Sequence, residues 1–293
     1  MMVKKMMQND EFGSFHPVSN LIFFIAVIAF STFWMQTGMI AVSFVCATVY
    51  YFMLKKAEGI NYFIMVLISM LIASLINPLF SHRGVTVLFN LPTGSPVTLE
   101  SIMFGLCAGV ILGEVLLWFS IFNSIMSDDK WTATIGKVAP TIAMIITMVL
   151  RFIPKYTKFS KRTRDIQNAN GFNNGKRIKS GMKVYSITAT WALETSIDTA
   201  DSMRARGYGG RRRTNYHNYK FQLRDLVLVL WVILLSAIIF YIANIDKIHT
   251  FFYPTLENKE SVVVLVTYII LCLTPILINA WEKMRWHLLK SKI

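Results

Sequence analysis

Between His16 and Leu54 the chain reads HPVSNLIFFIAVIAFSTFWMQTGMIAVSFVCATVYYFML, with no Asp, Glu, Lys or Arg in it. A helix needs about 20 mostly apolar residues to cross the hydrocarbon core of a bilayer. This stretch is long enough for two crossings, and Gln36-Thr37-Gly38 is the expected break. Outward from it, Gly59 to Ser81 is a third apolar run, expected to end at Asn77-Pro78, a pair that favours a turn. Ser101 to Met126 is a fourth run, interrupted by one acid, Glu114. Trp131 to Leu150 is a fifth and weaker run, with Lys137 and Pro140 near its start. Leu226 to Ile245 and Ser261 to Ala280 follow a long polar stretch. The expected fold class is all-α, a polytopic helical membrane protein of about five to seven spans.

Composition agrees with that reading. Of 293 residues, 54% are hydrophobic and only 16% charged, where soluble globular chains carry about 25% charged residues. This balance excludes a disordered chain and argues against a soluble enzyme. Cys46, Cys107 and Cys272 are unclustered inside apolar runs, so they read as buried small hydrophobes and not as a disulfide framework or thiolate metal site. No signal-peptide cleavage pattern precedes the first run, where Lys4 and Lys5 are joined by Asp10 and Glu11, so the first helix is expected to be retained. Trp34, Trp131 and Trp281 fall near run ends, the depth that suits aromatic side chains.

The net charge of +14 is concentrated in one place. Lys155 to Lys220 holds fifteen Lys and Arg against four Asp and Glu, while the rest of the chain is close to balanced. Positive loops stay in the cytoplasm, so the insert is expected there. Five spans before it would put the N-terminus outside; four would return it to the cytoplasm. The two C-terminal runs form a hairpin either way, leaving Lys283, Arg285 and Lys290 on the cytoplasmic side. Three roles compete for the insert: a nucleic-acid surface, an anionic-lipid surface, or a platform for a soluble partner. No nucleic-acid-binding signature or stacking pattern is evident, and near a membrane Arg211-Arg212-Arg213 suits lipid headgroups or topology better.

Within the insert, Lys155 to Asn170 reads as a helix stopped by Gly171 and Gly175. Met182 to Ala205 reads as a second helix stopped by Gly207. Tyr185, Ala189, Ala192, Ser196, Ala200 and Met203 recur at helical spacing and form its expected packing face. Small residues there, with Thr195 and Thr199, would let another helix approach closely. Glu194, Asp198 and Asp201 form an acidic stripe on another face. Both helices finish alike, Asn168-Ala169-Asn170-Gly171 and Arg204-Ala205-Arg206-Gly207. Such an end projects one side chain off a rigid rod, and the planar fork of Arg can hold a carboxylate or several carbonyls at once.

Other chemistry is sparse. Glu114 raises a proton or cation relay, since intramembrane ionisable residues are usually functional; the blander expectation is a satisfied acid facing the bundle or the headgroups. The five His are scattered without ligand spacing, no nucleophile arrangement is visible, and there is no phosphate-binding G-x-x-x-x-G-K-[ST] loop. A membrane-embedded enzyme acting on a lipid or prenyl substrate is the alternative function, with Asp128-Asp129 as its only hint.

Taken with their context, these motifs resemble the transmembrane T component of energy-coupling factor (ECF) transporters, an ABC-type importer family of prokaryotes. The residues carrying the resemblance are His16-Pro17, Asn77-Pro78-Leu79-Phe80 leading to His82-Arg83-Gly84, and Val97-Thr98-Leu99-Glu100. Met148-Val149-Leu150-Arg151-Phe152-Ile153-Pro154 and Asp201-Ser202-Met203-Arg204-Ala205-Arg206-Gly207-Tyr208-Gly209, followed by Arg211-Arg212-Arg213-Thr214, complete the set. The resemblance implies a transmembrane region 1–154, a cytoplasmic coupling-helix region 155–222 and a C-terminal transmembrane hairpin 223–293. It implies a non-enzymatic scaffold in the plasma membrane of a prokaryote, joining two cytosolic ATPases to a membrane-embedded substrate-binding S subunit for vitamin or other micronutrient uptake. No cofactor is expected on this chain, ATP and Mg being held by the ATPases. Two Ala-Arg-Gly motifs dock the ATPases in that family. One matches Ala205-Arg206-Gly207, and the other matches Ala169-Asn170-Gly171 with Asn170 in the arginine's place, an asymmetry that suits an ATPase heterodimer.

Cysteines introduced one at a time at Lys176 and Arg212 should react with a thiol reagent only after the membrane is permeabilised. Labelling of intact cells would refute a cytoplasmic insert.

Overall fold

The computed structural model describes residues 11–81, 84–90, 96–170, 177–209, 221–245, 250–251, 257–258 and 261–290. The chain divides into two compact units, residues 1–127 with 220–293, and residues 128–219. The architecture is all-α, with two short antiparallel hairpins.

The first unit is built from six long helices: α1 (Pro17–Trp34), α2 (Thr37–Lys55), α3 (Ile60–Phe80), α4 (Leu99–Ile125), α8 (Leu223–Ile245) and α9 (Val262–Lys290). Among the described residues, five stretches are long and apolar enough to cross a membrane, one of them the 44-residue Thr37–Phe80. That stretch is two helices. Lys56 turns the chain with a positive φ of 48°, and α3 then runs back along α4 in the opposite direction to α2. The break in the opening stretch falls at Met35-Gln36, with Met35 left-handed, one residue before the Gln36-Thr37-Gly38 step expected; Thr37 and Gly38 already belong to α2. Pro17 opens α1 at a position where no helical N–H is needed.

Asn77-Pro78 does not end the third run as a turn; Pro78 lies inside α3, which continues to Phe80. A proline this near a helix end forfeits one bond, that of its missing N–H to the Ser74 carbonyl. Gly105 of α4 lies against that same oxygen: a Cβ there would sit 2.6 Å from Ser74 O. One turn on, a Cβ on Gly109 would sit 2.6 Å from Met70 O. Gly113 is looser, with ordinary contacts beginning at 3.4 Å. The series Gly105, Gly109, Gly113 is the small-xxx-small ridge that lets membrane helices bring their backbones together.

Beyond this ridge, α4 turns its other face to the bundle interior. Trp118 is fully buried among Phe23, Phe24 and Tyr50, and its indole N–H donates to Ser43 Oγ at 3.0 Å. A single 3-10 turn, Phe12–Ser14, plugs this core: Phe12 packs edge-on against Phe23, and its N–H donates to Asn279 Oδ1 at 3.2 Å. The starts of α1 and α8 are tied together through buried Asp225, which accepts from the His16 N–H and the Gln222 N–H, both at 2.8 Å. Lys55, at the end of α2, donates to Ser120 Oγ at 2.9 Å and sits against the rings of Tyr51 and Tyr62.

Strands β1 (Val87–Asn90) and β2 (Pro96–Thr98) pair between α3 and α4, and β3 (Thr250–Phe251) and β4 (Glu257–Asn258) pair between α8 and α9.

The second unit holds α5 (Asp128–Val138), α6 (Pro140–Ala169) and α7 (Arg177–Ala205). Here the expectation of a fifth apolar run fails. Trp131 to Leu150 is broken at Ala139, with Pro140 opening a new helix, and neither half is among the stretches apolar enough to span. The reason is the charge that α6 carries from Arg151 onward. The helix expected to start at Lys155 is the second half of α6, which passes through Pro154 unbroken.

Gly109→Ala should force α3 and α4 apart and lower the thermal midpoint, at a cost of about 1–3 kcal/mol for overpacking. Gly113→Ala should be close to neutral. Equal midpoints for both variants in detergent-solubilised protein would show that the ridge does not set the helix separation.

Candidate functional site

The sequence points to the ends of the two helices of the hydrophilic insert, and these helices are held together by an aromatic cluster. Phe159 of α6 stacks face to face on Trp191 of α7, with ring centroids 3.9 Å apart and planes 8° from parallel. Tyr156 meets the same indole edge-on at 5.7 Å, and Phe152 stacks on Tyr156 at 5.5 Å. The ammonium of Lys155 lies 5.1 Å from the Trp191 ring centroid, within cation–π range. Phe152, Tyr156 and Phe159 are spaced four and three apart, a helical stripe visible in the sequence but not singled out from it.

The packing face expected for α7 is corrected in part. Val184 is buried, and Gly181, Thr188, Ala189, Trp191, Ala192, Thr195, Thr199 and Met203 are half-buried. Ala189, Ala192 and Met203 of the expected face thus lie on the less exposed side, while Tyr185, Ser196 and Ala200 are exposed. Thr195 and Thr199 were expected as close-approach positions and do lie on the inward line. The large indole decides the rotation, because stacking it on Phe159 removes more apolar area from water than an alanine face can. Thr188, Thr195 and Thr199 each return their hydroxyl to the carbonyl one turn back, which leaves no unsatisfied polar group on that face.

At its C-terminal end α7 closes in a Schellman motif. The Gly207 N–H donates to Arg204 O at 2.9 Å and the Tyr208 N–H donates to Met203 O at 3.0 Å. Gly207 has φ +81° with open space around it, so the backbone conformation, not crowding, calls for glycine. Ala205, Arg206 and Gly207 are all exposed. Arg204 makes an exposed ion pair with Asp201 at 3.8 Å, the kind that adds little stability. Glu194 and Asp198 are also exposed, so the acidic stripe is on the open side of the helix.

The end of α6 differs. Asn170 caps it with φ −82° and ψ 9°, its N–H donating to Ile166 O at 3.0 Å, and it does not take the left-handed conformation open to asparagine. Ala169 and Asn170 are exposed; Gly171 and Gly175, like Arg211, Arg212, Arg213, Thr214, His82 and Arg83, lie outside the described residues.

Asp128 and Asp129 occupy the first turn of α5, where carboxylates complement the positive end of the helix dipole. Among the described residues no group of three His, Cys, Asp or Glu is placed to hold a metal ion. Glu114 faces the bundle interior and is fully buried, but it is not the satisfied acid expected: neither carboxylate oxygen has a hydrogen-bond partner in the protein.

No family model matches the chain. Individual proteins do. The chain is 25% identical over 245 residues to the energy-coupling factor transporter transmembrane protein EcfT of Listeria innocua, covering 78% of this chain and 91% of that one. It is 30% identical over 104 residues to the EcfT of Lactococcus lactis subsp. cremoris, 33% of this chain and 39% of that protein. With the Streptococcus thermophilus EcfT it shares 31% identity over 119 residues, 38% of this chain and 45% of that one. The match thus spans less than half of the Lactococcus and Streptococcus proteins and nearly all of the Listeria one. The resemblance to ECF transmembrane components drawn from the motifs is what these comparisons find.

Trp191→Ala removes a stack that contributes about 0.5–1.5 kcal/mol beyond simple burial. Amide hydrogen exchange should then speed up in both α6 and α7 around residues 152–160 and 184–199, with Trp191→Phe retaining most of the protection. Unchanged exchange in Trp191→Ala would show that the aromatic cluster does not hold the pair.

Proposed function

We propose that this chain is the transmembrane coupling subunit of an ECF-type importer, joining a pair of cytosolic ATPases to a separate membrane-embedded S subunit. The observation that carries this reading is the exposed Arg206 at a Schellman-capped helix end, in a unit braced by a second helix through Phe159 and Trp191. Similarity to the Listeria innocua EcfT over 78% of the chain supports it. Four apolar helices precede residue 127, so with each one crossing, the N-terminus and the basic insert share a side of the membrane. The charge of the insert makes that side cytoplasmic, in the plasma membrane of a prokaryote.

In this reading the chain hydrolyses no nucleotide itself; ATP and Mg belong to the ATPases. The substrate, a vitamin or another micronutrient, is recognised by the S subunit. Arg206 enters a groove of one ATPase, where its fixed charge forms bonds about twice as strong as neutral ones. Asn170 offers only neutral bonds to the other, each contributing about 0.5–1.5 kcal/mol net. The two contacts are unequal, an asymmetry that suits a heterodimer of ATPases.

Arg206→Ala should reduce copurification of the ATPases and ATP-driven uptake strongly, because losing a buried charged partner costs roughly 2–5 kcal/mol. Asn170→Ala should have a small effect, and Gly207→Val should be harmful through the left-handed backbone. Equal ATPase recovery from Arg206→Ala and the parent protein, at matched membrane expression, would end the proposal.

A further inference from the structure

Glu114 lies near the middle of α4 with none of its surface exposed, and neither of its oxygens has a hydrogen-bond partner in the protein. The polar groups around it come from three other helices: the hydroxyls of Ser31 on α1 and Ser43 on α2, and beyond them Tyr268 and Cys272 on α9.

The hydrogens in this cluster are mostly committed elsewhere. Ser31 donates to Ile28 O at 3.1 Å, and the Tyr268 hydroxyl donates to Val27 O at 3.0 Å. Ser43 accepts from the Trp118 indole, which leaves its own hydrogen available. Ser31 therefore presents lone pairs toward the carboxyl group, and Ser43 has one hydrogen to give. An ionised carboxylate, which can only accept, would meet a single donor in a site closed to solvent.

Positive charge is also lacking. Helices α1 and α3 contain no charged residue, and the only titratable side chain of α3, Tyr62, donates to Leu116 O. Facing groups on α2 and α9 are the thiols of Cys46 and Cys272 and the Tyr268 phenol. Lys55 lies more than a turn away along α4 and is bonded to Ser120.

One added proton completes the account. We propose that Glu114 is a proton-binding site, carried in the folded bundle as a neutral carboxylic acid whose hydrogen turns to the lone pairs of Ser31 Oγ. The proton comes from water and returns to water when the site opens, so no bond between heavy atoms changes. No metal cation is needed to balance the cluster.

Infrared spectra of the full chain in lipid nanodiscs, compared with Glu114→Gln, test this directly. At neutral pH the parent protein should show a carboxylic-acid carbonyl band that is lost in the variant and displaced by Ser31→Ala. Thermal midpoints give a second readout with a definite sign. Because the bundle favours the protonated form, raising the pH should lower the midpoint of the parent relative to Glu114→Gln, and acidification should bring the two together. Identical acid-band regions in parent and Glu114→Gln would mean an ionised, hydrated or cation-paired carboxylate and would overturn the proposal. A midpoint difference that does not vary with pH, or one that appears only on adding sodium or potassium, would overturn it too. Neither readout involves the ATPases, so its failure is distinct from failure of the proposed transporter role.

Discussion

The close approach of two helices in the membrane-embedded unit, α3 against the Gly105–Gly109–Gly113 ridge of α4, is the constraint around which that unit is arranged. Lipid tails are as apolar as leucine, so burying apolar area does little to hold one membrane helix to another. Dispersion at short range must do it, and that requires backbones to come close. Val66 is the only residue along α3 that is buried, and beyond the ridge α3 is held chiefly at its start, where Tyr62 and Phe63 meet the rings of Tyr51 and Phe52. With the ridge spent on α3, the opposite face of α4 is free to carry Trp118 and Glu114 into the centre of the bundle.

The remaining helices are held by a few polar contacts inside an apolar body. Asp225 ties the starts of α1 and α8 through backbone donors, and Asn279 fixes Phe12 in the core. Trp118 joins α4 to α2 through Ser43, and Tyr268 joins α9 to the Val27 carbonyl of α1. Each replaces a group that would otherwise be unsatisfied in a dry interior, where such groups are costly. Their effect is to fix which helix lies next to which, more than to add net stability.

The insert follows different rules. Its helices carry charge on their open sides and stack aromatics between them, as a pair of helices in water would. In that braced pair the position of Arg206 is set by α7 as a whole, through its stack on α6.

Much of this was legible in the sequence. The charge-free stretch from His16 to Leu54, the later apolar runs and the basic insert define an all-α membrane protein, because length and hydrophobicity are properties of a segment by itself. Gly207 was readable as a helix stop for the same local reason. The glycine ridge was present as a spacing, but only the packed structure shows that Ser74 and Met70 carbonyls meet it. The Phe159–Trp191 stack, the inward line of α7 and the unpartnered Glu114 depended on which surfaces meet. Those outcomes compare competing burials between segments distant in sequence, and that comparison is made only when the helices pack.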